Sequence, residues 1–242
     1  MWINFLAAIS LVLTLQFLIS WRSSKLSVDE LSSGSHLPRR AQHACSGLAI
    51  LGVYESELLS RSQCVGTLLC CSFVYFTIHR ARLSYPGLNR LLVQQFANIL
   101  RKEETVNVVP AAFWFLLGCA FSILLFPRTV CCLALVHVSI GDPAAGLVGT
   151  YFRSPRYVKG KTLAGTAGAF LFSAMGSLIF LSSRGDSDMA ATALLPVSLL
   201  AGITAAVAEG WNILGLNDNL TMPLVSGTLL LLASEIFPLH GL

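Results

Sequence analysis

Residues 129–150 read TVCCLALVHVSIGDPAAGLVGT. A helix needs about 20 apolar residues to cross roughly 30 Å of hydrocarbon, and this run is long enough. One carboxylate, Asp142, interrupts it. A charge in hydrocarbon costs roughly 2.5–3.5 kcal/mol, so a residue of this kind is a functional candidate by default. Asp142 lies 13 residues beyond Thr129, which is about 20 Å along a helix rising about 1.5 Å per residue. It therefore sits in the third of the span that adjoins the basic loop after Thr150. Gly141, Pro143, Gly146 and Gly149 make the helix thin and breakable there. Backbone groups freed in such a segment can bind ions or phosphate.

The rest of the chain is equally apolar. Of its 242 residues 55% are hydrophobic and 12% charged, against roughly 25% charged in an average soluble domain. Mean hydropathy is +0.71. These values exclude a disordered chain, a collagen and an ordinary soluble enzyme, and make lipid the solvent. Further apolar runs cover Trp2–Trp21, Ala41–Tyr54, Gln63–Ile78, Val108–Phe126, Thr162–Leu181, Ala190–Ala208 and Leu220–Pro238. The expected fold is an all-α integral membrane bundle of about eight transmembrane helices. The count is seven if the short run Ala41–Tyr54 does not cross; it crosses only with Arg39 and Arg40 reaching into the headgroups along their aliphatic stems. Trp2–Trp21 lacks a basic n-region and a small-residue cleavage site, so it reads as a retained span. Residues 1–35 then form a first span with the flexible link Ser32-Ser33-Gly34-Ser35, and residues 36–242 a polytopic domain.

Lysine and arginine counts in successive connections run 4, 1, 5, 1, 4, 1. Basic loops stay cytoplasmic, so the N-terminus is expected on the lumenal or exterior side. The net charge of +4 is thus a topology signal and no nucleic-acid footprint. In the one long connection, Leu88, Leu91, Leu92, Gln95, Phe96, Ile99 and Leu100 recur at helical spacing. That pattern predicts an amphipathic helix lying on the membrane surface. The seven cysteines show no zinc or redox spacing and are expected as buried apolar side chains.

Three further elements fall on the same face of the membrane as Asp142. The loop after Thr150 carries Arg153, Arg156, Lys159 and Lys161 and leads into a helix at Thr162; lysine, arginine and helix N-termini all suit phosphate. Its Gly160-Lys161-Thr162 triplet is no Walker A motif, because Pro155 stands where that motif needs glycine. The loop from Glu209 through Asp218-Asn219 to Pro223 holds two acids and three asparagines without a basic residue. Oxygen ligands of that kind suit Mg²⁺, which one or two carboxylates plus substrate phosphates usually hold. Arg40 and His43, spaced i, i+3, share a helix face. The combination suggests magnesium-dependent chemistry on a phosphorylated, water-soluble substrate, with a lipid as the second substrate.

These motifs resemble a known family. Gly141-Asp142-Pro143-Ala144-Ala145 through Gly149, followed by Lys161-Thr162-Leu163-Ala164-Gly165-Thr166, resembles the core signature of the CTP-dependent lipid kinases. These include dolichol kinases, phytol kinases and fungal-type CTP-dependent diacylglycerol kinases. Glu209 with Asp218-Asn219-Leu220-Thr221-Met222-Pro223 resembles the family's acidic loop, and Pro38-Arg39-Arg40 with His43 its basic N-terminal element. Arg82, Pro86, Asn89, Glu103-Glu104 and Asn107 are most similar to the diacylglycerol kinase branch. Pro143 departs from the family, which usually has Thr or Ala there, and Asn217 stands where a second acid is common. The resemblance implies phosphoryl transfer from CTP to diacylglycerol at the cytoplasmic face of the endoplasmic reticulum or nuclear envelope. A polyprenol kinase is the neighbouring alternative, and a transporter or inactive scaffold the non-enzymatic one. It implies catalytic Asp142, Lys161 and Glu209, and Mg²⁺ on Asp142, Asp218 and Asn219. Nucleotide phosphates would be held by Arg40, His43, Gly141, Gly149, Arg153 and Gly165.

Overall fold

A computed structural model describes residues 37–96, 100, 102–158, 160–184, 191–211 and 215–236. The expected first span, Trp2–Trp21, and its link lie outside these residues. In chain order the described elements are α1 (Leu37–Glu55), α2 (Arg61–Ser84), α3 (Pro86–Phe96), α4 (Lys102–Val106) and α5 (Ala111–Leu125). There follow α6 (Arg128–Tyr151), a hairpin of β1 (Arg156–Val158) and β2 (Lys161–Thr162), α7 (Leu163–Arg184), α8 (Ala191–Gly210) and α9 (Asp218–Ile236). Every apolar run expected from Ala41 onward coincides with a helix over most of its described residues.

Four described helices are long and apolar enough to cross a membrane: α2, α6, α7 and the Ala193–Gly210 part of α8. α5 is equally apolar but has 15 residues. α1 and α9 carry their polar residues inside the helix, Arg39, Arg40 and His43 in one and Asp218, Asn219 and Glu235 in the other. The chain is thus a helical membrane protein, with four such helices among the described residues. α3 has no buried residue, as a surface helix should. The short helix α4 and the β1–β2 hairpin were not foreseen, because neither has a hydrophobic period to read.

α6 is the central helix. Val130 through Val136 are fully enclosed, with α1, α5, α7 and α9 packed around the same helix. Between lipid-embedded helices, close packing depends on small residues. A Cβ on Gly149 would lie 2.7 Å from Thr162 Oγ1 and 3.3 Å from Gly165 Cα, and one on Gly168 2.8 Å from Val148 Cβ. These glycines let α6 and α7 touch almost backbone to backbone. Cys64, Cys119, Cys131 and Cys132 are buried as expected, whereas Cys45 and Cys70 are exposed on the helix surface.

The break expected in α6 takes a definite form. Residues His137–Gly141 make a π-turn, and the Asp142 N–H donates to His137 O instead of Val138 O. Pro143 supplies the reason. It has no N–H, and its ring crowds the carbonyl four residues back, so an α-helix cannot run through it unstrained. The Val138 carbonyl then has no backbone donor by either pattern: the Asp142 N–H has moved on, and the residue a π-helix would use is proline.

Candidate functional site

The N-terminus of α1, the C-termini of α6 and α8, the hairpin and the N-terminus of α9 meet at one end of the bundle. The hairpin carries the central cation there. Gly160 turns it at φ +81°, a conformation that glycine adopts without strain. Thr162 Oγ1 and Ser154 Oγ then accept the Gly165 and Ala164 N–H groups at 3.1 and 2.9 Å, which satisfies the start of α7. Lys161, fixed between these anchors, donates to Glu209 Oε1 at 2.9 Å and to Asp218 Oδ2 at 2.8 Å. Burial alone would lower the Lys161 pKa, but the two carboxylates outweigh it and hold the ammonium above its usual value. Glu209 Oε2 is buried and has no hydrogen-bond partner among the described residues.

Asp142 connects this triad to α1. Its side chain is about one-quarter exposed, and Oδ2 lies 3.9 Å from His43 Nε2. Its charge acts on Glu209 on one side and on Arg40 on the other. His43 Nε2 is 2.8 Å from Val138 O and donates to it, so the imidazole fills the vacancy that Pro143 creates. The ring also packs on Phe115 at a centroid distance of 4.5 Å. Arg40 Nη2 donates to Thr150 Oγ1 at 3.3 Å, while its buried Nη1 has no acceptor among the described residues. The guanidinium lies against Gly146, where a Cβ would come within 2.9 Å of Cζ.

Arg40, His43, Asp142, Lys161, Glu209 and Asp218 therefore form one cluster, as the sequence suggested. Other expected members stand elsewhere. Arg153 is exposed on the loop. Gly141 faces the interior, where a Cβ would lie 2.2 Å from Ser173 Oγ, and Gly149 and Gly165 line the α6–α7 seam. The Asn219 amide is engaged, donating from Nδ2 to Ala111 O at 3.1 Å. Gly146 and Thr150, which the sequence reading left out of the site, hold Arg40; Gly146 was visible only as one of several glycines. Among the described residues no group of three or more His, Cys, Asp and Glu side chains is gathered closely enough to hold a metal by itself.

A cluster with a paired lysine, a free carboxylate oxygen and an unsatisfied guanidinium edge is suited to a multiply charged ligand that both anions and cations must meet. Comparison with known proteins gives the same direction. The chain is 25% identical to CTP-dependent diacylglycerol kinase 1 of Saccharomyces cerevisiae over 206 residues, 78% of this chain and 70% of that one. Its similarity to the protein of the same name in Schizosaccharomyces pombe is 27% over 217 residues, 87% of this chain and 99% of the other. The chain is thus similar, over most of its length, to proteins named CTP-dependent diacylglycerol kinase. The Eremothecium gossypii relative of that name is 28% identical over 78% of this chain and 64% of its own length. No protein-family model matches the chain, and no solved structure does.

Proposed function

We propose that the protein transfers the γ-phosphoryl group of CTP to the free hydroxyl of diacylglycerol, forming phosphatidate and CDP. The observation that carries this reading is Lys161, locked between Glu209 and Asp218, in the same cluster as Asp142, Arg40 and His43. The hydroxyl oxygen bonds to the γ-phosphorus, the bond from phosphorus to the β-bridging oxygen breaks, and the hydroxyl proton leaves to a carboxylate of the cluster. Such a loose transition state asks for positioning and charge neutralisation above all. Lys161 and Arg40 face the phosphate oxygens, and Arg40 has the unfilled N–H for it.

A Mg²⁺ ion bound with the nucleotide would neutralise phosphate charge. The chain offers what such an ion takes: Mg²⁺ is usually held by one or two carboxylates plus substrate phosphates, and Glu209 Oε2 is a buried oxygen with no donor. Asp142 or Asp218 beside that oxygen, together with the nucleotide phosphates, would hold it. Asn219 donates its Nδ2 to Ala111 O, which fixes the side chain and leaves its Oδ1 as a further oxygen ligand. The alternation of basic and sparse loops supports an arrangement with this end cytoplasmic and about eight spans in all; the endoplasmic reticulum is the membrane that the family resemblance implies.

The test uses the whole protein in vesicles, given γ-labelled CTP or ATP and a panel of diacylglycerol, dolichol and phytol. Labelled phosphatidate made from CTP is expected, and Asp142→Ala should abolish it while the variant still inserts and elutes as the wild type does. Labelled dolichol or phytol phosphate would replace the acceptor assignment, and full turnover by Asp142→Ala would remove the site.

A further inference from the structure

Outside the cluster, the most completely enclosed arginine or lysine among the described residues is Arg82, at the end of α2 and only 4% exposed. It donates through Nη1 to Asn89 Oδ1 of α3 at 2.9 Å and to Thr105 O at 3.3 Å, and through Nη2 to Glu104 O; Nη2 also meets His79 Nδ1 at 3.2 Å. A buried arginine spent so fully on carbonyls fixes the backbone that carries them. What it fixes is Glu104, likewise 4% exposed. Glu104 Oε1 accepts the Ala111 N–H at 2.7 Å. That bond supplies the cap of α5, whose own N-cap residue, Pro110, provides no side-chain bond.

Ala111 is thereby held at both its polar atoms. Its carbonyl accepts from Asn219 Nδ2 at 3.1 Å, and the Asn219 N–H donates to Asn217 Oδ1 at 3.1 Å. The residue before Asn219 is Asp218, which holds Lys161 at 2.8 Å. An unbroken line of hydrogen bonds and adjacent residues thus runs from the surface helix α3 through Arg82, Glu104, Ala111 and Asn219 to the site. We propose that Arg82, Glu104 and Asn219 are positioning residues that hold Asp218, and through it Lys161, in place for phosphoryl transfer. The inference rests on the kinase reading of the site. Displacing a reacting group by an ångström can cost about 100-fold, which gives the line its leverage.

The test compares Glu104→Ala, Glu104→Gln and Asn219→Asp in the full chain in vesicles. Gln keeps an oxygen for the Ala111 N–H, and Asp at 219 keeps oxygen ligands but loses the amide donor. Glu104→Ala and Asn219→Asp should lower kcat about 10- to 100-fold and leave the KM for diacylglycerol unchanged, with Glu104→Gln close to wild type. In an Asp218→Asn background Glu104→Ala should cost little more, because the end of the line is already lost. A second readout needs no turnover: the rate at which an amine-reactive ester labels Lys161, followed by mass spectrometry. Loosening Asp218 should raise that rate in Glu104→Ala and not in Glu104→Gln, even if the wild type proves not to be a CTP-dependent kinase. Unchanged labelling, equal loss in Ala and Gln, or full additivity with Asp218→Asn would each overturn the proposal. Should Glu104→Ala fail to fold, Asn219→Asp carries the same labelling test.

Discussion

α1 and α6 run between two charged clusters, one at each end of the bundle, and the two differ in how their polar atoms are used. At the end away from Asp142, Glu55 receives Arg128 Nε at 3.5 Å and Arg184 Nε at 3.2 Å. Arg128 also donates to the Tyr54 and Glu55 carbonyls at 3.2 and 2.8 Å and to the Glu57 carboxylate. Arg61 covers the Ile123, Leu124 and Phe126 carbonyls at 2.7, 2.9 and 3.0 Å. These arginines finish the C-termini of α1 and α5, where helices leave carbonyls unsatisfied and favour positive charge. At the other end Arg40 Nη1 and Glu209 Oε2 have no partner among the described residues. A cavity of about 540 Å³ lies at the first end, lined by Glu55, Arg128 and Arg184 among others. Of the two clusters, the one around Lys161 keeps buried polar atoms without partners among the described residues, and the one around Glu55 does not.

The sharpest way to break that distinction is to exchange the lysine. Lys161→Ala should lower CTP-dependent lipid phosphorylation by at least about 100-fold and also destabilise the chain, because Glu209 is left buried beside unpaired charge. The double variant Lys161→Met, Glu209→Gln should recover the melting temperature without recovering turnover. Activity restored together with stability would make the near cluster a staple like the far one. The opposite outcome is expected at the far end. Glu55→Ala should cost about 1–3 kcal/mol of stability, the order of a lost charged hydrogen-bond network, with kcat unchanged below the lowered melting temperature. A tenfold fall in kcat there would mean that the far cluster reaches the chemistry.

The helices were legible because lipid imposes a simple rule: a spanning backbone must satisfy itself, so long apolar runs are helices. The sparse loops were read correctly as containing one arginine each, but counting charges cannot show that Arg61, Arg128 and Arg184 each grip a neighbouring helix. Asp142 was legible from its cost in hydrocarbon. Its partners were legible by type and not by pairing, since Lys161 meets carboxylates 48 and 57 residues away. Spacing within one helix does not encode such contacts. Gly149 and Gly165 looked like phosphate-approach glycines for the same reason: sequence shows that a backbone is bare, and only packing shows that another helix fills the space. Glu104 was part of the resemblance, yet a carboxylate that caps a helix seven residues later has no local signature that distinguishes it from a solvated one.

His43 stands between the two kinds of residue, and the smallest expected effect decides its place. Its Nε2–H serves the Val138 carbonyl, which is orphaned only because residue 143 is proline. With alanine at 143, that carbonyl regains a backbone donor either way: the Asp142 N–H if the turn reverts to an α-helix, the Ala N–H if the π-turn persists. His43→Ala should therefore cost about 1–2 kcal/mol in the native chain, the penalty of an unsatisfied buried carbonyl. In a Pro143→Ala background it should cost about 1 kcal/mol less, a coupling large enough to resolve by melting in detergent. The Phe115 contact is lost in both backgrounds and cancels from the cycle. Strict additivity would show that Val138 is not what the imidazole serves. If the coupling is found and turnover in the double variant returns with stability, His43 is a staple placed inside the site. If stability returns and turnover does not, the imidazole belongs with Arg40 and Lys161 on the substrate.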